Sequence, residues 1–134
     1  MLNLALEACM NGNVFLRTAV VFLGCGVVLG LKMGMAEDFT QAPTHAHINL
    51  IGGVWMFLAG LFYNANPQIS ARLRSGHYWL TVVGLIGFAV GLYGKLAGAA
   101  WGEAPLIVGS MITGVSLLLF AVIVWIGTGR GARV

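Results

Sequence analysis

Four apolar stretches, residues 18–36, 44–63, 78–96 and 105–127, decide what this chain can fold into. Each is close to the ~20 residues that a helix needs to cross the hydrocarbon core of a bilayer. The breaks between them carry charge and turn residues: Glu37 and Asp38 with Pro43, then Asn64 and Pro67, then Gly98 and Pro105. Pro43 and Pro105 each fall near a helix start, where the missing N–H removes no bond. Charged residues make up 8% of the chain, whereas a soluble domain carries about 25%. With 59% hydrophobic residues, the surface could not be solvated by water, and lipid is the fitting solvent. The expected fold is an all-α membrane protein, a four-transmembrane-helix bundle forming one domain over residues 1–134, with almost no mass outside the bilayer.

The charges are read by position. Arg17, Arg72, Arg74, Arg130 and Arg133 fall on one side of such a hairpin; Lys32, Lys95, Glu37, Asp38 and Glu103 fall on the other. The positive-inside rule then puts both termini in the cytoplasm and the first and third loops outside. In a Gram-negative bacterium this is the inner membrane, with those loops in the periplasm. The net charge of +3 contains no basic run, so nucleic acid is not an expected partner. Residues 1–13 lack a basic n-region and are interrupted by Glu7. They read as an interfacial lead-in rather than a cleaved signal.

Cys9 and Cys25 form neither a disulfide framework nor a CxxCH motif, which excludes covalent haem attachment of the c type. Cys25, inside an apolar stretch, reads as a small packing residue. Glycine is patterned. Gly26, Gly30 and Gly34 make a small-xxx-small stripe on the first helix; Gly87 and Gly91, then Gly94 and Gly98, mark the third. Such stripes let backbones approach in lipid, either within one protomer or between protomers.

The chemistry concentrates at the start of the second helix, in Thr44-His45-Ala46-His47-Ile48-Asn49. Histidine within a membrane span is rare and marks function; the bland alternative is a pair of interfacial histidines that snorkel to water. At about 100° per residue, His45 and His47 diverge by about 200°. On a helix they suit two ligands on two sides rather than one shared ion. In an extended segment they would share a face and chelate one metal. Asn49, four residues on, lies on the face of His45. Gly52 and Gly53 leave room for something flat, and Trp55 lies two turns past His47 on roughly its face. A planar macrocycle fits these features better than a small ion.

These residues carry a resemblance. Residues 35–40, Thr44 to His47 and residues 52–63 resemble the second transmembrane helix of haem-copper oxidase catalytic subunits and of small four-helix membrane proteins grouped with them. About thirty residues match well; the rest matches in helix count and topology. The oxidase subunit has three pseudo-symmetric four-helix units, and in the third unit the second helix carries an H-x-H whose histidines serve two haems. The resemblance implies that this chain is one such unit, assembling as a homotrimer. Each interface would then hold a haem b between His45 of one copy and His47 of the next. Lys32, Lys95 and Trp101 are candidate partners for the propionates, or else ordinary interfacial anchors.

The departures matter as much. The copper-site histidines of an oxidase are missing, and no histidine–tyrosine partner is expected in another helix. His77 is expected at the opposite end, interfacial and ~30 Å from the H-x-H across the hydrocarbon core. Oxygen reduction by this chain alone is therefore not expected, and whether it is an enzyme stays open. Two filled axial positions favour electron transfer, with quinol or a cytochrome as redox partner. Two rival readings stand beside haem. Met33, Met35, Glu37, Asp38, His45 and His47 lie on the outer side and suit copper. Alternatively the chain is a structural or assembly subunit of a respiratory complex, docking through its glycine faces.

Overall fold

A computed structural model describes residues 11–130, without the side chains of residues 129 and 130. Residues 1–10 of the expected lead-in 1–13, with Cys9, and Arg133 lie outside the described residues; residues 12 and 13 already belong to the first helix. The described chain is all helical, and four helices are long and apolar enough to cross a membrane. They are α1 (Gly12–Ala36), α2 (Ala42–Ala65), α3 (Ala71–Leu96) and α4 (Glu103–Arg130), with a 3-10 turn at Ala100–Gly102 before α4.

Two helices start well before the apolar stretches do: α1 at Gly12 and α3 at Ala71. Hydropathy marks only the lipid-facing length, and a helix continues until something caps it. The Asn11 side chain accepts the Asn13 N–H at 3.1 Å, and Ser70 Oγ accepts the Leu73 N–H at 3.4 Å, the usual work of an N-cap. At its other end α1 stops at Glu37, the single non-glycine residue with positive φ (51°) among those described. The Asp38 N–H then reaches back to Met33 O at 3.2 Å, which closes the helix with a left-handed cap. Asp38 Oδ1 takes the Thr40 hydroxyl (2.6 Å) and N–H (3.0 Å), tightening the turn into α2. These Thr40 bonds hold the Asp38 carboxyl below its ordinary pKa.

The helices pack as two antiparallel hairpins, α1 on α2 and α3 on α4, joined through α2 and α3. Glycine makes both close. A Cβ on Gly91 would strike the Leu106 backbone, and one on Gly109 the Phe88 backbone, so α3 and α4 touch main chain to main chain. Gly26 and Gly30 of α1 face Asn49 and His45 of α2. The stripes are thus occupied within the protomer at Gly26, Gly30, Gly87, Gly91 and Gly94, whereas Gly34 and Gly98 meet no neighbour. Cys25 does not pack inside; it is exposed.

The core sits at the end of the bundle that carries Arg17, Arg72 and Arg74. Phe15, Met56, Ala59, Tyr63 and Phe120 form it, with Ile123 nearby. His77 belongs to it as well. Its ring is fully buried and lies between Phe120 (centroids 4.8 Å, 10°) and Phe15 (5.5 Å, 25°). Tyr63 of α2 bonds its Nδ1 at 2.9 Å. Three expectations are corrected here. His77 is not interfacial, because helix α3 begins six residues before it and carries it into the aromatic core. A histidine–tyrosine pair between helices does exist, although far from the H-x-H. The ~30 Å separation also shrinks: His47 packs at the level of Phe88, roughly 16 Å along the axis from His77 at 1.5 Å per residue.

Candidate functional site

Helix α2 is not one regular helix. It is α-helical over Ala42–His47, π-helical over Ile48–Trp55 and α-helical again over Met56–Ala65. Eight residues of π-helix exceed the single-turn bulge in which this geometry usually occurs, and such turns gather at functional sites. Gly52 and Gly53 are both buried in it. A Cβ on Gly52 would lie 2.7 Å from Phe22 Cβ and 2.8 Å from Leu85 Cδ2. The room beside Gly52 is therefore taken up by α1 and α3 of the same protomer.

His45 turns toward α1. A Cβ on Gly30 would sit 2.9 Å from its Cε1, so only glycine there lets the ring lie flat on the helix. Its Nδ1 is 2.9 Å from Gly26 O. A carbonyl only accepts, so Nδ1 carries the proton and Nε2 keeps the lone pair. Asn49 Nδ2 donates to that Nε2 at 3.1 Å. The predicted pairing of Asn49 with a neighbouring group is thus with His45 itself.

His47 turns the other way, toward α3 and α4. Its ring lies 4.8 Å from that of Phe88 at 60°. Its Nδ1 is 2.7 Å from Pro43 O, so it is the same tautomer, with Nε2 again bearing the lone pair. The ring borders a groove of about 200 Å³ shared with Ile51, Phe88, Ser110, Thr113 and Leu117. Both histidines, and Asn49, are half-buried. The divergence expected from helical spacing is what the backbone produces, because both residues precede the π segment.

The remaining candidates are less closely gathered. Trp55 meets Phe120 of α4 edge to face at 5.2 Å, and its Nε1 is buried without a partner among the described residues. Trp101 is exposed and borders an apolar groove with Leu29, Thr44, Ile48 and Tyr93. Lys95 is paired with Glu103 at 2.7 Å, and Lys32 donates to the Tyr93 hydroxyl at 3.2 Å. Met33 is buried whereas Met35 is 82% exposed, so the two do not converge. Among the described residues no three His, Cys, Asp or Glu side chains come together as a metal site. The sequence reading missed Tyr63, Arg74, Thr81, Thr113 and Ser116, all buried and polar or phenolic except for their setting in apolar helices. Their spacing was the available signal. Arg74, His77 and Thr81 recur at i, i+3, i+7 on α3, and Thr113 and Ser116 at i, i+3 on α4.

Comparison with protein-family models, curated proteins and solved structures finds no match. None of these comparisons links the chain to the haem-copper oxidase subunit.

Proposed function

We propose that this chain is a haem b-binding membrane protein and an electron-transfer cytochrome, with bis-histidine haem at the interfaces of a homotrimer. The observation that supports this reading most is the state of the two imidazoles. Each gives its Nδ1–H to a backbone carbonyl, Gly26 O or Pro43 O. That arrangement sets the tautomer and orients the ring, as the outer hydrogen bond of a metal-bound histidine does. The two Nε2 atoms then serve different sides of one helix, which suits a ring of copies.

The residues fit the group with one condition. The His47 side chain borders a groove. His45 Nε2 is capped by the Asn49 amide, which must swing aside before the nitrogen can ligate iron. When bound, haem supplies a one-electron iron couple, and two histidine ligands favour transfer over ligand activation. The chain's own contribution is to hold both rings and to keep water away with Phe88, Ile51 and Leu117. Lys32 and Trp101 stand at the same end of the bundle for the propionates, and Lys95 serves there only by leaving Glu103. The arginine end faces the cytoplasm and the histidine end the periplasm of a bacterial inner membrane, by the positive-inside rule. The electron donor belongs to the quinol or cytochrome class.

The test is the absorption spectrum of the purified protein with pyridine extraction. A Soret band with a sharp reduced α-band is expected, lost in His45→Ala and in His47→Ala. A colourless protein, or a normal bis-histidine spectrum retained in His47→Ala, would sink the reading.

A further inference from the structure

The end of α1 and the loop into α2 bring one positive and one negative side chain to the same hollow without pairing them. Lys32, Asp38, Thr40, Gln41 and Tyr93 line a cavity of about 180 Å³ at the histidine end of the bundle. Lys32 donates to the Tyr93 hydroxyl at 3.2 Å, and its Nζ stands 5.8 Å from the centre of that ring. An ammonium carries three N–H donors, so donors remain for a ligand. Asp38 Oδ1 takes both Thr40 bonds, and Oδ2 takes none among the described residues. The two charges do not meet: the one ion pair among the described residues joins Lys95 to Glu103.

Beneath this cavity the helices become apolar within a turn or two. Helix α1 passes from Lys32 to Leu29, and α3 from Ala97 through Tyr93 to Val90. Helix α2 passes from Gln41 to Thr44, which is buried, and on to Ile48. The inner residues, with Trp101, line a second groove of about 240 Å³ that is almost wholly apolar. Leu29 and Tyr93 border both hollows, so the polar one opens beside the apolar one. Gln41 braces the junction. Its Nε2 donates to Tyr93 O at 3.1 Å, and its Oε1 accepts the Thr44 hydroxyl at 2.8 Å.

We propose that the two hollows together hold one phospholipid with a zwitterionic amine headgroup, of the phosphatidylethanolamine class. The phosphate lies on Lys32, the ammonium on Asp38 Oδ2, and an acyl chain follows the groove past Trp101. The charges select the headgroup. An ethylene link keeps the phosphate and ammonium of one headgroup close together, and the cavity offers one charge of each sign, held apart by Tyr93 and Thr40. Both contacts are charge-assisted hydrogen bonds, which are stronger than neutral ones. A phosphatidylglycerol headgroup gives Lys32 a phosphate but gives Asp38 only repulsion, and an uncharged quinol uses neither charge. The plain alternative is two interfacial side chains that reach water independently; it predicts no preference among headgroups. None of this requires haem: a bound lipid takes Lys32 from the propionates and leaves them the Trp101 N–H.

The experiment reconstitutes the full chain into vesicles of equal parts phosphatidylethanolamine and phosphatidylglycerol with a minor fraction of isoprenoid quinone. The protein is re-extracted in mild detergent and washed, and the lipids it retains are quantified by mass spectrometry. The wild type is expected to keep phosphatidylethanolamine several-fold over phosphatidylglycerol. Asp38→Asn keeps Oδ1 for Thr40 but loses the charge, and should bring the two lipids to parity. Lys32→Gln should lower retention of both several-fold. Glu37→Gln makes the same charge change one residue away, outside the cavity, and should leave the preference intact. Equal retention by the wild type overturns the proposal, as does a quinone retained in place of phospholipid. So does a preference unchanged in Asp38→Asn or retention unchanged in Lys32→Gln. Should Asp38→Asn disturb the turn into α2, phosphatidylcholine decides on the unaltered chain. Its ammonium has no N–H, and retention equal to that of phosphatidylethanolamine overturns the proposal.

Discussion

At the residue scale, Asn49 and Gly30 control His45 from opposite sides. The Asn49 amide occupies Nε2 at 3.1 Å and so would compete with the iron of the proposed haem for the lone pair. Asn49→Ala removes a neutral hydrogen bond worth about 1 kcal/mol, and haem affinity should rise several-fold in a spectrophotometric titration. A fall would show that Asn49 holds the ring in its productive pose. Gly30→Ala puts a methyl 2.9 Å from Cε1 and should displace the ring. Haem binding is then lost while the helical circular dichroism stays unchanged. Deeper in, Tyr63→Phe leaves His77 Nδ1 unpaired in the aromatic core. Losing the partner of a buried polar group costs about 1–3 kcal/mol, so the variant should melt earlier in detergent. An unshifted melting temperature would mean that the pair carries no stability. Helical spacing already set His45 and Asn49 on one face and His47 on another. It could not show that Asn49 caps Nε2, because that depends on the ring being pressed flat by α1.

At the element scale, the π-helical stretch of α2 is the least expected feature. Nothing in Ile48–Trp55 signals it beyond the paired Gly52 and Gly53, whose buried backbone meets Phe22, Leu23 and Leu85. Tertiary packing chooses the wider turn, and local propensity does not. Removing one residue, as in a Val54 deletion, should let the segment revert to regular α-helix and restore the i to i−4 bonds. Met56, Ala59 and Tyr63 would then rotate out of the core relative to His45 and His47. Both haem content and thermal stability should fall, and a variant stable as wild type would show that the π turn is not needed for packing. The boundaries of α1 and α3 were set too late by hydropathy for a related reason. Arg72, Arg74 and His77 are polar by composition, yet two of them are buried because α3 continues through them beneath Phe15 and Phe120.

At the scale of the whole molecule, the exposed surface is the apolar one. Val28, Met35, Leu118 and Trp125 are all more than two-thirds exposed or nearly so, as a lipid-facing bundle requires. The interface proposed between copies makes a prediction no single-chain site shares. A chain bearing His45→Ala and a chain bearing His47→Ala each lack one ligand at every interface. Co-expressed, they should regain haem at one interface in every mixed trimer, about a third of the interfaces there and about a quarter over all assemblies in a closed ring. Haem content per chain, measured after separating mixed from pure assemblies, checks this. No recovery in mixed trimers would place both ligands within one protomer.

The number of helices and their lipid setting follow from the sequence alone, because apolar length and the scarcity of charge leave no other solvent for the chain. The divergence of His45 from His47 follows as well, because it depends only on the helical step between them. Three things needed the tertiary structure. Gly26 and Gly30 serve His45 and Asn49 within the protomer, since small-residue stripes do not name the helix they face. The π turn arises where α1 and α3 press on Gly52 and Gly53. The burial of His77 with Tyr63 and the bond between the Thr81 and Ser116 hydroxyls come from antiparallel pairing of α3 and α4, which aligns residues 81 and 116 across an interface that no local pattern records.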